Sequence, residues 1–195
     1  MDLLRKGRRL EYLTLSWNVV GVAILAVSAF EAKSVGLAGF GLDSLVEIGA
    51  STVVLWELSE RHESRQRAAI RLIGVAFVFL ALYLIVQSTL VLALGFHPHH
   101  SGLGIAWTSL TAVSMFSLSY GKSKVGAALS NPVLIAEGRV TFVDGVLATS
   151  VLVGLLLNAW RGWWWADPLT GYVLVFYALR EARSSLHHET AVAQS

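Results

Sequence analysis

The stretch Leu72-Ile-Gly-Val-Ala-Phe-Val-Phe-Leu-Ala-Leu-Tyr-Leu-Ile-Val-Gln-Ser-Thr-Leu-Val-Leu-Ala-Leu-Gly95 decides the class of this protein. It carries no charge, and Gln87, Ser88 and Thr89 near its end do not make a polar face. A helix crossing the hydrocarbon core of a bilayer needs about 20 mostly apolar residues. A soluble all-helical core would interleave such a segment with amphipathic helices that carry a charged face. The segment reads as a membrane span.

Five further runs extend outward from it. Tyr12 to Phe30 and Leu103 to Tyr120 hold no charge. Ser34 to Trp56 holds only Asp43 and Glu47, Val140 to Trp160 only Asp144, and Trp163 to Leu179 only Asp167. The expected fold is all-α: a polytopic bundle of six transmembrane helices at about 12–30, 34–57, 72–95, 103–120, 140–160 and 164–179. These form one domain over 1–185, followed by a short cytoplasmic tail, 186–195. The first run is too long for a signal peptide and lacks an A-x-A site. Composition agrees, with 55% hydrophobic and 14% charged residues among 195. The absence of cysteine excludes disulfides, thiolate zinc sites and a cysteine nucleophile.

The basic residues set the expected orientation. Arg5, Lys6, Arg8 and Arg9 precede span 1, and Arg61, Arg65, Arg67 and Arg71 separate spans 2 and 3. Lys122, Lys124 and Arg139 separate spans 4 and 5, and Arg180 and Arg183 follow span 6; only Lys33 and Arg161 fall on the opposite side. The positive-inside rule puts both termini in the cytoplasm of a multi-pass protein of the cell (inner) membrane. The longest cytoplasmic connection is then Gly121 to about Gly138. Basic residues confined to membrane edges fit contact with anionic lipid, not nucleic acid. Trp160, Trp163, Trp164 and Trp165 read as an interfacial belt.

An acid inside a membrane is costly and marks a functional site by default. Asp43 and Glu47 are four residues apart, on one helix face. Asp144 lies well inside span 5, and Glu137, at the cytoplasmic boundary, shares nearly the same face with Thr141 between them. On this reading no span interior contains a basic partner. A divalent cation in a low-dielectric core must exchange its hydration shell for anionic oxygens. Two or three carboxylates on facing helices bind such an ion and still release it. Without the ion they cannot all stay ionised, so metal entry expels protons. The expected metal ligands are Asp43, Glu47, Asp144 and Glu137, with Thr141 and Asn18 as lesser candidates.

These residues carry a resemblance. Ser34-Val-Gly-Leu-Ala-Gly-Phe-Gly-Leu-Asp43-Ser-Leu-Val-Glu47-Ile-Gly-Ala-Ser51 is similar to the second span of the cation diffusion facilitator (cation efflux) family, where an acid-x-x-x-acid pair binds the transported metal. Ala136-Glu-Gly-Arg-Val-Thr-Phe-Val-Asp144 resembles the fifth span, with Asp144 on the transport-site aspartate, and Trp165-Ala-Asp167-Pro168 resembles the start of the sixth. The second acid of the pair, usually Asp, is Glu47 here. The position where zinc transporters of the family commonly carry His is Val140. That leaves an all-oxygen site, which suits harder ions such as Mn²⁺, although Zn²⁺ also accepts carboxylates. The family's C-terminal metal-binding domain has no counterpart after Leu186, as in its short, membrane-only branch of transmembrane-protein-163-like transporters.

The resemblance implies export of Zn²⁺, Mn²⁺, Fe²⁺ or Co²⁺ from the cytoplasm in exchange for protons, by a homodimer joined through its spans. No resident cofactor and no enzyme activity are expected. A non-transporting membrane scaffold and a cation channel are the alternatives. Gln87 is a minor polar candidate. His97, His99 and His100 in an outer loop, and His187, His188 and Glu189 in the tail, could receive or recruit metal, though such clusters are usually just solvated. Asp167 before Pro168 reads as a helix cap. Gly36, Gly39, Gly41 and Gly49 suit close helix approach in span 2, and Gly145 could loosen span 5.

Overall fold

The computed structural model describes residues 2–32, 34–59, 63–95, 99 and 101–165, with Leu169, Tyr172, Val175, Phe176, 178–180, Ala182 and Arg183. Five continuous helices are given for these residues: α1 (Asp2–Ala32), α2 (Val35–Ser59), α3 (Glu63–Leu94), α4 (Gly102–Ala128) and α5 (Pro132–Arg161). All five are long and apolar enough to cross a membrane.

The outward faces of the helices are apolar, and buried polar groups lie among the apolar side chains between them. Along α1 the buried line is Gly7, Glu11, Thr14, Asn18, Gly21, Leu25, Ser28 and Ala32, in alternating steps of four and three. Its exposed face holds Tyr12, Leu13, Val19, Val20, Val27 and Phe30. On α3 the exposed face is Leu72, Val75, Phe79, Leu82, Val86, Leu90 and Leu94. Water would reverse this arrangement, whereas lipid tails accept apolar side chains and leave polar ones to pair between helices. The chain is a multi-pass helical membrane protein.

Local signals fix the helix ends. The Ser34 hydroxyl accepts from Leu37 N at 3.1 Å and the Ser101 hydroxyl from Gly104 N at 2.9 Å, capping α2 and α4. Asn131 Oδ1 accepts from Leu134 N at 3.0 Å, and Pro132 follows at the first helical position of α5. Gly162, at φ 69°, ends α5 in the left-handed conformation.

Two helical hairpins form the body. α1 packs on α2 and α4 on α5, while α1–α4 and α2–α5 contacts close a four-helix ring; α3 lies outside it against α2 and α5. Trp17 stacks on Trp107 at 5.0 Å and donates to Thr111 Oγ1 at 3.1 Å, tying α1 to α4. A methyl at Gly39 would collide with the Tyr83 hydroxyl and the Gln87 amide, so this glycine makes room for the ends of two α3 side chains. Gly49 faces open space, and Gly145 sits under Phe116 within an unbroken helix. Of the span-2 glycines, Gly39 makes room for side chains of α3.

The helices outrun the charge-free runs. α1 begins near residue 2 instead of 12, and α4 continues to Ala128 instead of ending at Tyr120. α5 begins at Pro132 instead of 140. The expected cytoplasmic connection Gly121 to Gly138 shrinks to Leu129, Ser130 and Asn131, with Ser130 at φ 50°. Helix hydrogen bonding does not stop at the first charge when that charge finds a buried partner. After Gly162, Trp163 is irregular and Trp164 and Trp165 form a turn, so they precede any helix expected from 164. Beyond the turn the described residues Leu169, Tyr172, Val175, Phe176, 178–180, Ala182 and Arg183 are helical, with Val175, Ala178 and Ala182 buried, but they do not form a continuous sixth helix among the described residues. Tyr172 and Thr89 of α3 share a 2.8 Å hydrogen bond between hydroxyls.

Candidate cation site

The sequence-predicted acids meet along the seam between α2 and α5. The two helices run antiparallel, and polar groups pair across them in steps of about one turn. Asp43 faces Asp144, with their carboxyl groups within hydrogen-bond reach. One turn further, Thr141 Oγ1 donates to Glu47 Oε1 at 2.7 Å. Next, Ser51 Oγ donates to Glu137 Oε1 at 3.2 Å. At the end of the ladder Asn131 Nδ2 donates to Glu57 Oε2 at 3.0 Å. From Asp43 to Glu57 the ladder descends about 21 Å at 1.5 Å per residue.

All these groups are buried: Asp43 and Asp144 are 3% exposed, Glu47 2%, and Glu137 and Thr141 0%. Among the described residues, neither Asp144 oxygen has a hydrogen-bond donor, nor does Asp43 Oδ2 or Glu47 Oε2. Facing buried carboxyls with three of four oxygens lacking a donor leave buried charge uncompensated.

The structure adds two residues to the site. Lys122, expected in a cytoplasmic loop, is completely buried on α4. Its Nζ lies 2.5 Å from Glu137 Oε2 and 3.1 Å from Glu11 Oε2, and donates to Thr141 Oγ1 at 3.0 Å. The expectation that no span holds an interior basic residue is thereby corrected. Glu137, expected at the cytoplasmic boundary, is completely buried in the bundle and ion-paired. Glu11 on α1, also 0% exposed, completes a cluster drawn from α1, α2, α4 and α5. Both residues were legible in principle. Glu11 lies on the small polar line of α1, and Lys122 continues the line Thr108, Thr111, Met115, Ser119 of α4.

Among the described residues, no group of three or more His, Asp or Glu is arranged to hold a metal ion. The ladder divides instead into the Asp43–Asp144 pair and the Glu47–Thr141–Glu137–Lys122–Glu11 cluster. The Asn18 amide is used within its own helix, donating to Thr14 O at 3.1 Å. Val140 packs in the apolar core. His99 is exposed, its backbone N donating to Ala32 O at 3.0 Å. His97, His100, Asp167, His187, His188 and Glu189 lie outside the described residues.

No family model matches the chain. Aligned over 202 residues, it is 24% identical to Transmembrane protein 163 of Xenopus laevis, an alignment covering 93% of this chain and 72% of that protein.

Proposed function

We propose that this protein is a divalent cation transporter of the cation diffusion facilitator type. The Asp43–Asp144 pair carries this reading: two buried carboxyls face each other across α2 and α5, and both Asp144 oxygens lack a donor. An ion between them gains Asp43 from one helix and Asp144 from the other. A rearrangement of the seam that draws the two parts of the ladder together would add Glu47, one turn along α2, as a third carboxylate, Glu137 as a fourth, and the Thr141 hydroxyl. Oxygen donors of this number suit Mn²⁺, Fe²⁺, Co²⁺ or Zn²⁺.

Protons move in the opposite sense because the same oxygens hold them when no cation is bound. Cation binding needs ionised carboxylates and so releases those protons. With the basic ends cytoplasmic, the inward proton gradient drives export by alternating access. The apolar exteriors of the spans supply both lipid contact and the surface for a second copy.

A second reading, a non-transporting scaffold, draws on the Lys122 network, which would also brace a purely structural bundle. Flux separates the two. Purified protein in proteoliposomes should take up Mn²⁺ or Zn²⁺ in response to a pH gradient, and Asp43→Ala and Asp144→Ala should not. Normal flux in those variants refutes the site; no flux in the native protein refutes transport. Flux indifferent to the proton gradient indicates a channel.

A further inference from the structure

Lys122 is the least expected charge in the molecule. A fully buried lysine is rare unless paired, and this one has two acids beside it where one would serve. Glu137 Oε2 is at 2.5 Å and Glu11 Oε2 at 3.1 Å. The two acids stand on different hairpins, Glu137 on α5 and Glu11 on α1. Glu137 belongs to the α2–α5 ladder. Glu11 stands outside it and has an oxygen, Oε1, without a donor. An ammonium has three protons to give, so Glu11 has capacity to take more of it.

We propose that Lys122 is a tethered counter-cation with two seats: it holds Glu137 when no cargo is present and retires to Glu11 when a divalent cation claims Glu137. The proposal rests on the transport reading above and adds to it how the cargo is released. With Lys122 on Glu137, the ladder offers an incoming ion chiefly Asp43, Asp144 and the free oxygen of Glu47. With Lys122 on Glu11, Glu137 joins them. The shift needs only rotation of a flexible side chain already touching both acids. Its reversal puts a positive charge back beside the ion and weakens the site for discharge. A four-acid cage without such a competitor would retain its ion.

The test compares Mn²⁺ and Zn²⁺ binding by calorimetry, and flux in proteoliposomes, for the full chain and three variants. Removing the competitor in Lys122→Met should tighten binding about tenfold or more while slowing turnover. Glu11→Gln leaves Lys122 only one acid to hold, so binding should weaken by about tenfold. The double variant should bind more tightly than Glu11→Gln alone. A bracing role predicts loss in all three, with falling melting temperature. Shifts of Lys122→Met and Glu11→Gln in the same direction, or no shift in either, overturn the proposal. If Lys122→Met does not fold, the comparison of Glu11→Gln with the double variant decides, and failure of the double variant to recover affinity overturns it. A native protein that binds neither ion sinks the transport reading and this one with it; a native protein that binds while the variants behave alike sinks only this one.

Discussion

Thr141 Oγ1 donates a 2.7 Å hydrogen bond to Glu47 Oε1 and accepts one of 3.0 Å from Lys122 Nζ. A single hydroxyl thus joins the acid of α2 to the ammonium of α4. Thr141→Val keeps the shape and removes both bonds, leaving buried charge less well paired. Thermal melting in detergent should show a loss of about 1–3 kcal/mol, and Thr141→Ser should restore most of it.

Asp43 and Asp144 present the opposite balance. Three of their four oxygens lack a donor among the described residues, so neutralising one acid relieves the bundle while removing one of the two facing charges. Asp43→Asn and Asp144→Asn should melt at or above the native temperature. Cation affinity should fall by about 100-fold or more, beyond the effect expected of an outer-shell group. A parallel loss of stability and binding would argue that the pair only braces the helices.

Asn131 performs two tasks, capping α5 through Leu134 N and donating to Glu57 across the seam. Asn131→Ala should cost about 1–3 kcal/mol. Asn131→Ser should recover the cap but not the bond to Glu57, giving an intermediate melting temperature.

Gly39 lies beneath Tyr83 and Gln87. Gly39→Leu should push α3 from α2 and destabilise by roughly 1–3 kcal/mol through overpacking. Gly49→Ala, facing open space, should be neutral or slightly favourable. The pair is a direct check, by melting, on which glycine admits a neighbouring helix.

The chain has no cysteine, so single cysteines report topology cleanly. Ser130 lies in the α4–α5 turn and Gly162 at the opposite end of α5. A membrane-impermeant maleimide should label Gly162→Cys in intact cells and Ser130→Cys only after permeabilisation. The reverse pattern would invert the orientation expected from the basic residues.

Apolar run length was enough to read the membrane class, because lipid demands uninterrupted hydrophobic surface. Helical spacing was enough to place Asp43 and Glu47 on one face, and the burial of Asp144 followed from its apolar neighbours. Lys122 and Glu11 escaped because each sits just past the end of a charge-free run. A charge there reads as loop or headgroup, and hydropathy cannot tell that two distant run-ends pair inside the bundle. The same reading cut α4 at Tyr120 and delayed α5 to Val140. Steps of three and four along a mostly polar line carried the missing signal: Thr108, Thr111, Met115, Ser119 and Lys122 on α4, and Gly7, Glu11, Thr14 and Asn18 on α1.

The turn at Leu129–Asn131 is too short to let α4 and α5 slide independently. Lys122 and Glu137 consequently ride on one lever, whereas Glu11 and Glu47 ride on the other. The Lys122–Glu11 pair, the Thr141–Glu47 and Asn131–Glu57 bonds and the Trp17–Thr111 bond all bridge the two levers. Any rocking of one hairpin against the other must break some of these bridges, so a few polar latches along the seam add to the apolar packing that resists it.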